Sequence, residues 1–249
     1  MNRKLKSAAR LSLFMGVLTF INLGAMVAAS GGLVRPATFP NEPGFTQAVF
    51  WLEMADSGRE IELALGDPAS DAGRRIRTAM DAMHRADFIF MICYTAFTAS
   101  LFLLLARLGE RTGVGIPRQV LYAGFALCAA ALMGDIFETV KLIGFTSHPA
   151  PSQIGDGIVP LQIWTRVKSG ALSAAGIILA YHYGRHFRWL FPGVLIPAVF
   201  GLSAVAGLVA ISVHQYRFLM EHAGSLGMLA WLAALVHAGI VFFSKEKAS

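Results

Sequence analysis

The amino-acid sequence predicts an all-α membrane protein: a polytopic bundle of six transmembrane helices, with a helical extracytoplasmic segment between the first and the second. Hydrophobic residues make up 55% of the 249-residue chain and charged residues only 14%, whereas a soluble domain carries about 25% charged residues. Apolar runs of roughly 20 residues, enough to cross the hydrocarbon core of a bilayer as a helix, recur along the chain. We therefore predict a single membrane domain over residues 1–249.

The basic net charge of +6 does not indicate a nucleic-acid partner. Lysines and arginines lie mostly at the ends of apolar runs, where positive charge orients membrane spans. The expected partner is the lipid bilayer, and a membrane-protein partner or a second copy of the chain is a further candidate. Cys93 and Cys128 fall within apolar runs, which predicts packing residues rather than a disulfide or a CxxC metal site. The sequence identifies no cofactor.

The first predicted span covers residues 11–34 and follows a basic stretch at residues 1–10. This order is also typical of a secretory signal peptide, and the small residues at 27–29 offer a cleavage site. The apolar part is long for a signal peptide. We therefore expect the segment to be retained as the first span.

Residues 35–86 contain six arginines and eight acidic residues, which predicts the extracytoplasmic helical segment. Ser57 and Glu60 have the spacing of a capping box at a helix start. Asp67 and Pro68 predict a second helix start, with aspartate as the cap. Apolar residues then recur on one helix face: Ile76, Met80 and Met83. We expect the segment to pack over the outer mouth of the bundle as a lid.

Five further apolar runs predict the remaining spans, which are residues 87–106, 120–144, 159–181, 189–213 and 223–243. The span ends on the side of the two termini carry eleven lysines or arginines, whereas the short loops on the other side carry only Arg217. Because lysine and arginine accumulate in cytoplasmic loops, we expect both termini to be cytoplasmic, in an inner membrane of the bacterial type.

The third predicted span carries three ionisable residues, Asp135, Glu138 and Lys141. A charged side chain at the centre of a transmembrane helix costs roughly 2.5 to 3.5 kcal/mol, so such residues usually face a partner or water. Spacings of three residues place neighbours within reach of each other. One interpretation pairs Glu138 with Lys141, whose side chain then extends towards the membrane surface. The other is a functional site centred on Asp135 and Glu138.

Residues of two other spans are candidates for the same site. The fourth span carries Arg166 and Lys168 at a similar depth, on nearly opposite helix faces, since two positions on a helix differ by about 200°. We expect Lys168 to face the third span and Arg166, beside Trp164, to anchor the helix at the interface. In the second span, Tyr94 is a candidate for the site. Asp87 is a further candidate, although it also fits a boundary charge.

His182 and His186 lie four residues apart on one predicted helix face, a spacing that suits two ligands of one metal ion. Their sequence neighbours include Arg185 and Arg188 but no carboxylate or cysteine. A cationic cluster at the membrane boundary is the alternative, and we assign no metal site. The chain contains no HExxH, GxSxG or P-loop signature.

The order of three short patterns resembles that of uncharacterised multi-pass bacterial inner-membrane proteins. The patterns are FxxE at residues 50–53, DFxF at 87–90 followed by Tyr94, and DxxE at 135–138. Those proteins often have asparagine after the DxxE glutamate, where this chain has Thr139. The resemblance implies that these polar positions form a recurring arrangement, and it implies no activity.

Three functions are compatible with these residues. The first is a binding or transport protein whose buried carboxylates and lysine hold a proton, an ion or a small charged ligand in the outer half of the bundle. The second is an intramembrane enzyme that uses Asp135 or Glu138 as an acid or base, although the sequence offers no evident nucleophile. The third is an accessory subunit of a membrane complex. A cavity touching Asp135 would favour the first two, and a dry, fully paired cluster the third.

Overall fold

The computed structural model describes residues 3–30, 45–147, 151–187 and 190–244. Some features singled out in the sequence lie outside these ranges. They are the end of the first predicted span, residues 31–34, the first part of the lid segment, residues 35–44, and three of the eleven basic residues counted above: Arg188, Lys245 and Lys247.

Within the described ranges the regular structure is helical and contains no strand. Six of these helices have 18 or more residues, and two short helices lie between the first and second of them. The bounds are α1 (Arg3–Ala29), α2 (Ala48–Glu53), α3 (Gly58–Leu65), α4 (Asp71–Thr112), α5 (Arg118–Ser147), α6 (Pro151–His186), α7 (Leu195–Ser212) and α8 (Leu219–Phe243). The all-helical class is confirmed.

Five of the described helices are long and apolar enough to cross a membrane: α1, α4, α5, α7 with the turn before it, and α8. Helix α6, which contains the fourth predicted span, does not meet this standard. It carries Pro160, Arg166 and Lys168 in its middle, and these residues reduce its mean hydropathy. Multiple membrane-length helices are therefore present, while the count of six spans stays a prediction.

Large apolar side chains are exposed along the outer faces of the helices. The most exposed of them include Phe14, Ile21, Ile89, Val159 and Phe243, each at least 58% exposed. Water-soluble monomers rarely expose apolar surface on this scale. The apolar helices therefore suggest contact with a lipid bilayer.

Buried apolar side chains form two clusters in the described part of the chain. One joins the long helices around Phe97, Phe102 and Tyr183. The other joins α2 and α3 to the C-terminal end of α5 and the N-terminal part of α6, with Trp51 and Leu52 fully buried. We call α2 and α3 the lid helices, because they cover this end of the bundle.

Ser57 caps the start of α3, as the sequence predicts. The Glu60 N–H donates to Ser57 Oγ at 3.3 Å, which satisfies a donor that a helix start otherwise leaves unpaired. The Glu60 carboxylate accepts the N–H of Asp56, the residue before the cap, at 2.9 Å, whereas in a complete capping box it would accept that of Ser57.

The predicted helix start at Asp67 is wrong. The Asp67 carboxylate accepts the N–H of Ala69 at 2.9 Å and so shapes a turn instead of capping the helix. Helix α4 begins after this turn, where Ser70 Oγ accepts the Gly73 N–H at 3.0 Å. Both residue types favour caps and turns, so the sequence alone does not distinguish the two positions.

Candidate functional site

Lys168 of α6 lies at the centre of a buried group of carboxylates. Its Nζ atom is 3.4 Å from Glu53 Oε2 on α2 and 3.4 Å from Asp135 Oδ1 on α5. It also forms an ion pair with Glu138, one helical turn beyond Asp135. The Asp135 and Glu138 side chains are only 6% and 1% exposed. We call these four residues the carboxylate–lysine cluster.

Gly134 allows α5 and α6 to approach closely at the cluster. A Cβ atom at this position would lie 2.7 Å from the Lys168 backbone nitrogen and 3.1 Å from the Trp164 carbonyl oxygen. A residue without a side chain therefore permits this backbone contact. Because Asp135 follows Gly134 directly, the contact brings the Asp135 carboxylate beside α6.

Hydrogen bonds from two further side chains orient the cluster. The Tyr94 hydroxyl on α4 donates to Asp135 Oδ2 at 2.6 Å, and the Tyr94 ring stacks on Trp231 of α8 with centroids 5.2 Å apart. Thr165 Oγ1 lies 2.5 Å from Glu138 Oε1. Three elements besides α5 thus contribute side chains to this group: α2, α4 and α6. Helix α8 packs against Tyr94 through Trp231.

Asp87 lies at the edge of the site. Its Oδ2 atom accepts a hydrogen bond from Thr139 Oγ1 at 3.1 Å. Thr139 is the residue that follows the DxxE pattern, so its hydroxyl supplies a donor at this position. The bond links the second predicted span to the third, one residue beyond Glu138.

Acidic groups outnumber the basic group in the carboxylate–lysine cluster. When all are ionised, three negative charges surround one positive charge. Like charges oppose one another's ionisation, and an uncompensated charge in a low-dielectric interior is costly. Burial raises the pKa of Glu53 above its ordinary value of 4.5, although the Lys168 ammonium opposes this rise. An arrangement of this kind favours taking up a proton or attracting a cation.

A narrow cleft leads from the surface of the lid towards the cluster. It has a volume of about 130 Å³, and its walls include Glu53, Thr165 and Arg166. Glu53 contacts Lys168 directly, while Asp135 does not line the cleft. Since a liquid water occupies roughly 30 Å³, the cleft has room for a few water molecules.

A second group of charges fastens the lid to the turn before α8. Arg217 donates to Glu60 through both terminal nitrogens, at 2.8 and 2.7 Å, and to Asp56 Oδ2 at 2.8 Å. His214 Nδ1 is also 2.8 Å from Asp56 Oδ2. We call these four residues the lid latch. Burial opposes ionisation of Glu60, but the Arg217 hydrogen bonds lower its pKa below the ordinary 4.5.

The structure does not bring Lys141 into the carboxylate–lysine cluster. Lys141 lines a separate cleft between the ends of α5 and α6. The interpretation that pairs Glu138 with Lys141 is therefore wrong, because the ion-pair partner of Glu138 is Lys168. The Lys168 amine comes from a neighbouring helix that packs closely against α5.

The rings of His182 and His186 have centroids 6.3 Å apart. In the part of the chain that the structure describes, no group of three or more histidine, cysteine or acidic residues is placed to hold a metal ion. The His186 ring instead lies near Phe187, which in turn contacts His237 with centroids 4.8 Å apart. These histidines belong to an aromatic group at the end of the bundle opposite the lid.

Three residues of the site were not predicted from the sequence: Glu53, Thr165 and Gly134. A signal existed for Glu53, since it interrupts the apolar run at residues 45–55 and ends the FxxE pattern. Thr165 and Gly134 carry no comparable signal, because their roles depend on which helix packs against which.

No protein-family model, curated protein or solved structure matches this chain. The class of protein therefore rests on the fold itself. It is a helical protein with several membrane-length apolar helices and a group of buried charged residues.

Proposed function

We propose that this integral membrane protein binds a proton, or a small cation in its place, at the carboxylate–lysine cluster and exchanges it through the cleft beneath the lid. One observation carries the proposal: three carboxylates, two from α5 and one from the lid helix α2, share the single ammonium group of Lys168. The excess of acidic groups supports binding of a positive species, because each proton or cation bound reduces the uncompensated charge.

The dimensions of the cleft favour a very small ligand. Small-molecule sites generally have volumes of roughly 300–1,000 Å³, and this cleft has about 130 Å³. A proton carried by a few waters, or one small cation, fits such a space. The cleft therefore supports proton or cation exchange over binding of an organic substrate.

Glu53 connects the cleft to the interior of the cluster. Its carboxylate borders the cleft and lies 3.4 Å from Lys168. Lys168 is in turn 3.4 Å from Asp135, which accepts the Tyr94 hydroxyl. We assign Glu53 as the entry group and Asp135 as the inner binding group of this path.

Counting released protons tests the proposal. An ordinary carboxyl group is already ionised above about pH 5, so release between about pH 5 and pH 8 reports groups that hold their protons unusually well. We expect the purified wild-type protein to release more protons over this interval than Asp135→Asn at equal folded yield, because the pKa of Glu53 is raised by burial and, in addition, by the Asp135 carboxylate. Asp71→Asn is the matched control, because the Asp71 side chain is 83% exposed.

An accessory protein with a purely structural ion-pair group is the competing function. Two facts favour it: every carboxylate of the cluster contacts Lys168, and Asp135, which a binding cavity was expected to touch, does not line the cleft. In that case Asp135→Asn would lower the folded yield and leave proton release by the remaining folded protein unchanged. That result would overturn the proposal.

A further inference from the structure

A second cleft opens between the C-terminal end of α5 and the N-terminal part of α6, apart from the carboxylate–lysine cluster. Its volume is about 380 Å³. Lys141 and Asp156 provide its charges, while Val140, Phe145 and Ile154 provide apolar walls. The cleft thus combines both signs of charge with apolar surface.

The two charged side chains of this cleft are available to a ligand. Lys141 and Asp156 form no ion pair with each other, or with any other residue that the structure describes, and yet they border the same space. A ligand that carries an anionic and a cationic group would complement both. A ligand with one charge would leave the other side chain without a partner.

The position of the cleft suits the headgroup layer of a membrane. Lys141 lies six residues before the end of α5 at Ser147, which is about 9 Å at the rise of an α-helix. Lysines near helix ends reach the interface in this way. If α5 spans the membrane with this end at its surface, the Lys141 amine can reach the layer of lipid phosphates.

An apolar strip continues from the cleft along the joint between α5 and α6. Val140 is 51% exposed and Phe137 39% exposed on the face of α5. The Phe137 ring stacks on Trp164 of α6, with centroids 4.5 Å apart. An acyl chain that follows this strip would place its headgroup at Lys141 and Asp156.

We infer that this cleft binds a phospholipid with an ethanolamine headgroup. Lys141 pairs with the phosphate, Asp156 accepts hydrogen bonds from the primary ammonium, and an acyl chain covers the strip along Phe137. A choline headgroup has no N–H donor for the aspartate, and a glycerol headgroup has no positive charge. The site therefore selects a primary amine next to a phosphate.

Native mass spectrometry of the full-length protein in detergent tests the inference. The protein is titrated separately with dioleoyl phosphatidylethanolamine, phosphatidylcholine and phosphatidylglycerol. We expect the ethanolamine lipid to be retained best. Asp156→Asn should weaken its retention by about fivefold, as expected for the loss of one partly screened ion pair, without weakening that of phosphatidylglycerol. Lys141→Gln should weaken the retention of all three lipids, whereas Asp71→Asn should change none of them.

Equal retention of the three lipids by the wild-type protein would overturn the inference, as would an Asp156→Asn variant that keeps the ethanolamine preference. Binding of soluble phosphoethanolamine is measured in the same way. Binding of this compound as tight as that of the lipid would show a small-molecule site rather than a lipid site, and would equally overturn it. Asp135→Asn should leave lipid retention unchanged, which keeps this test separate from that of the proton site.

Discussion

The carboxylate–lysine cluster and the lid latch both place one basic side chain among acidic ones, but their charge balance differs. In the latch, Arg217 meets Glu60 through two parallel hydrogen bonds, the geometry that best stabilises an ionised carboxylate. In the cluster, three carboxylates share Lys168. The pKa of Glu60 is accordingly lowered and that of Glu53 is raised, although both residues belong to the lid.

A basic neighbour therefore does not by itself decide whether a carboxyl group is ionised. Burial opposes ionisation of both Glu53 and Glu60, and only the latch offsets it fully through hydrogen bonds. The latch is thus suited to holding the lid in place. The cluster lacks such a set of hydrogen bonds, and it is the group for which we propose proton binding.

The largest expected effect is that of removing the amine from the cluster. Lys168→Met leaves buried carboxylates uncompensated, and breaking a buried ion pair costs about 3 to 5 kcal/mol. We expect chemical denaturation of Lys168→Met to show a free energy of unfolding that is lower by this amount. Adding Glu138→Gln to Lys168→Met should recover part of it, because one of the uncompensated charges is then removed.

Lys141→Met is the matched control for this comparison, since Lys141 lies outside the cluster and has no ion-pair partner among the described residues. Similar stability losses for Lys168→Met and Lys141→Met would contradict the central role given to Lys168.

A smaller loss is expected when the close approach of α5 and α6 is blocked. A Cβ atom at residue 134 would press on the Lys168 backbone, and overpacking of this kind typically costs about 1 to 3 kcal/mol. We expect Gly134→Ala to lower the unfolding midpoint by a corresponding amount. Gly201→Ala, where an added Cβ meets no atom within 4 Å, should not destabilise the protein. Equal behaviour of the two variants would show that the contact at Gly134 is not tight.

The part of the site on α5 could be predicted from the sequence because ionisable residues inside an apolar run are costly and need partners. Lys168 was favoured as a member of the site for the same reason, since its position within α6 limits its access to water. Lys141 nevertheless stayed open as the partner of Glu138. That choice depends on the close packing of α5 against α6 at Gly134, which leaves no periodic pattern in the sequence.

The fold, like the site, could be predicted from the sequence only where the signals are local. Apolar runs and the Ser57 cap are local signals, and they identified the helices and the start of α3. Glu53 reaches Lys168, 115 residues further along the chain, only because Trp51 and Leu52 dock α2 onto the bundle. Contacts at such a separation are set by tertiary packing, so the lid carboxylate was not assigned to the site.

The smallest expected effects concern the pH dependence of stability, which should differ between the two lid glutamates, Glu53 and Glu60. We expect the free energy of unfolding to change by up to about 1 kcal/mol. The lowered pKa of Glu60 means that its stabilising effect is present above pH 4.5 and is lost as the pH falls through the lowered pKa. The pKa of Glu53 is raised, so its contribution to stability has the opposite pH dependence: it becomes less favourable as the pH rises above 4.5.

Glu60→Gln should therefore destabilise the protein more at about pH 7 than at about pH 4. Glu53→Gln should instead destabilise it less at about pH 7 than at about pH 4. Thermal unfolding of both variants at the two pH values measures this. The same pH trend in both variants would remove the contrast between latch and cluster.

Infrared difference spectroscopy between about pH 5 and pH 8 detects protonated carboxyl groups in the cluster, because ordinary carboxyl groups are already ionised in this interval. The wild-type protein should show the C=O band of a protonated carboxyl group disappearing as the pH rises. The band should be reduced or shifted in Glu53→Gln and Asp135→Asn and unchanged in Glu60→Gln. A wild-type spectrum without this band, or a band that survives unaltered in both cluster variants, would contradict proton binding at the carboxylate–lysine cluster.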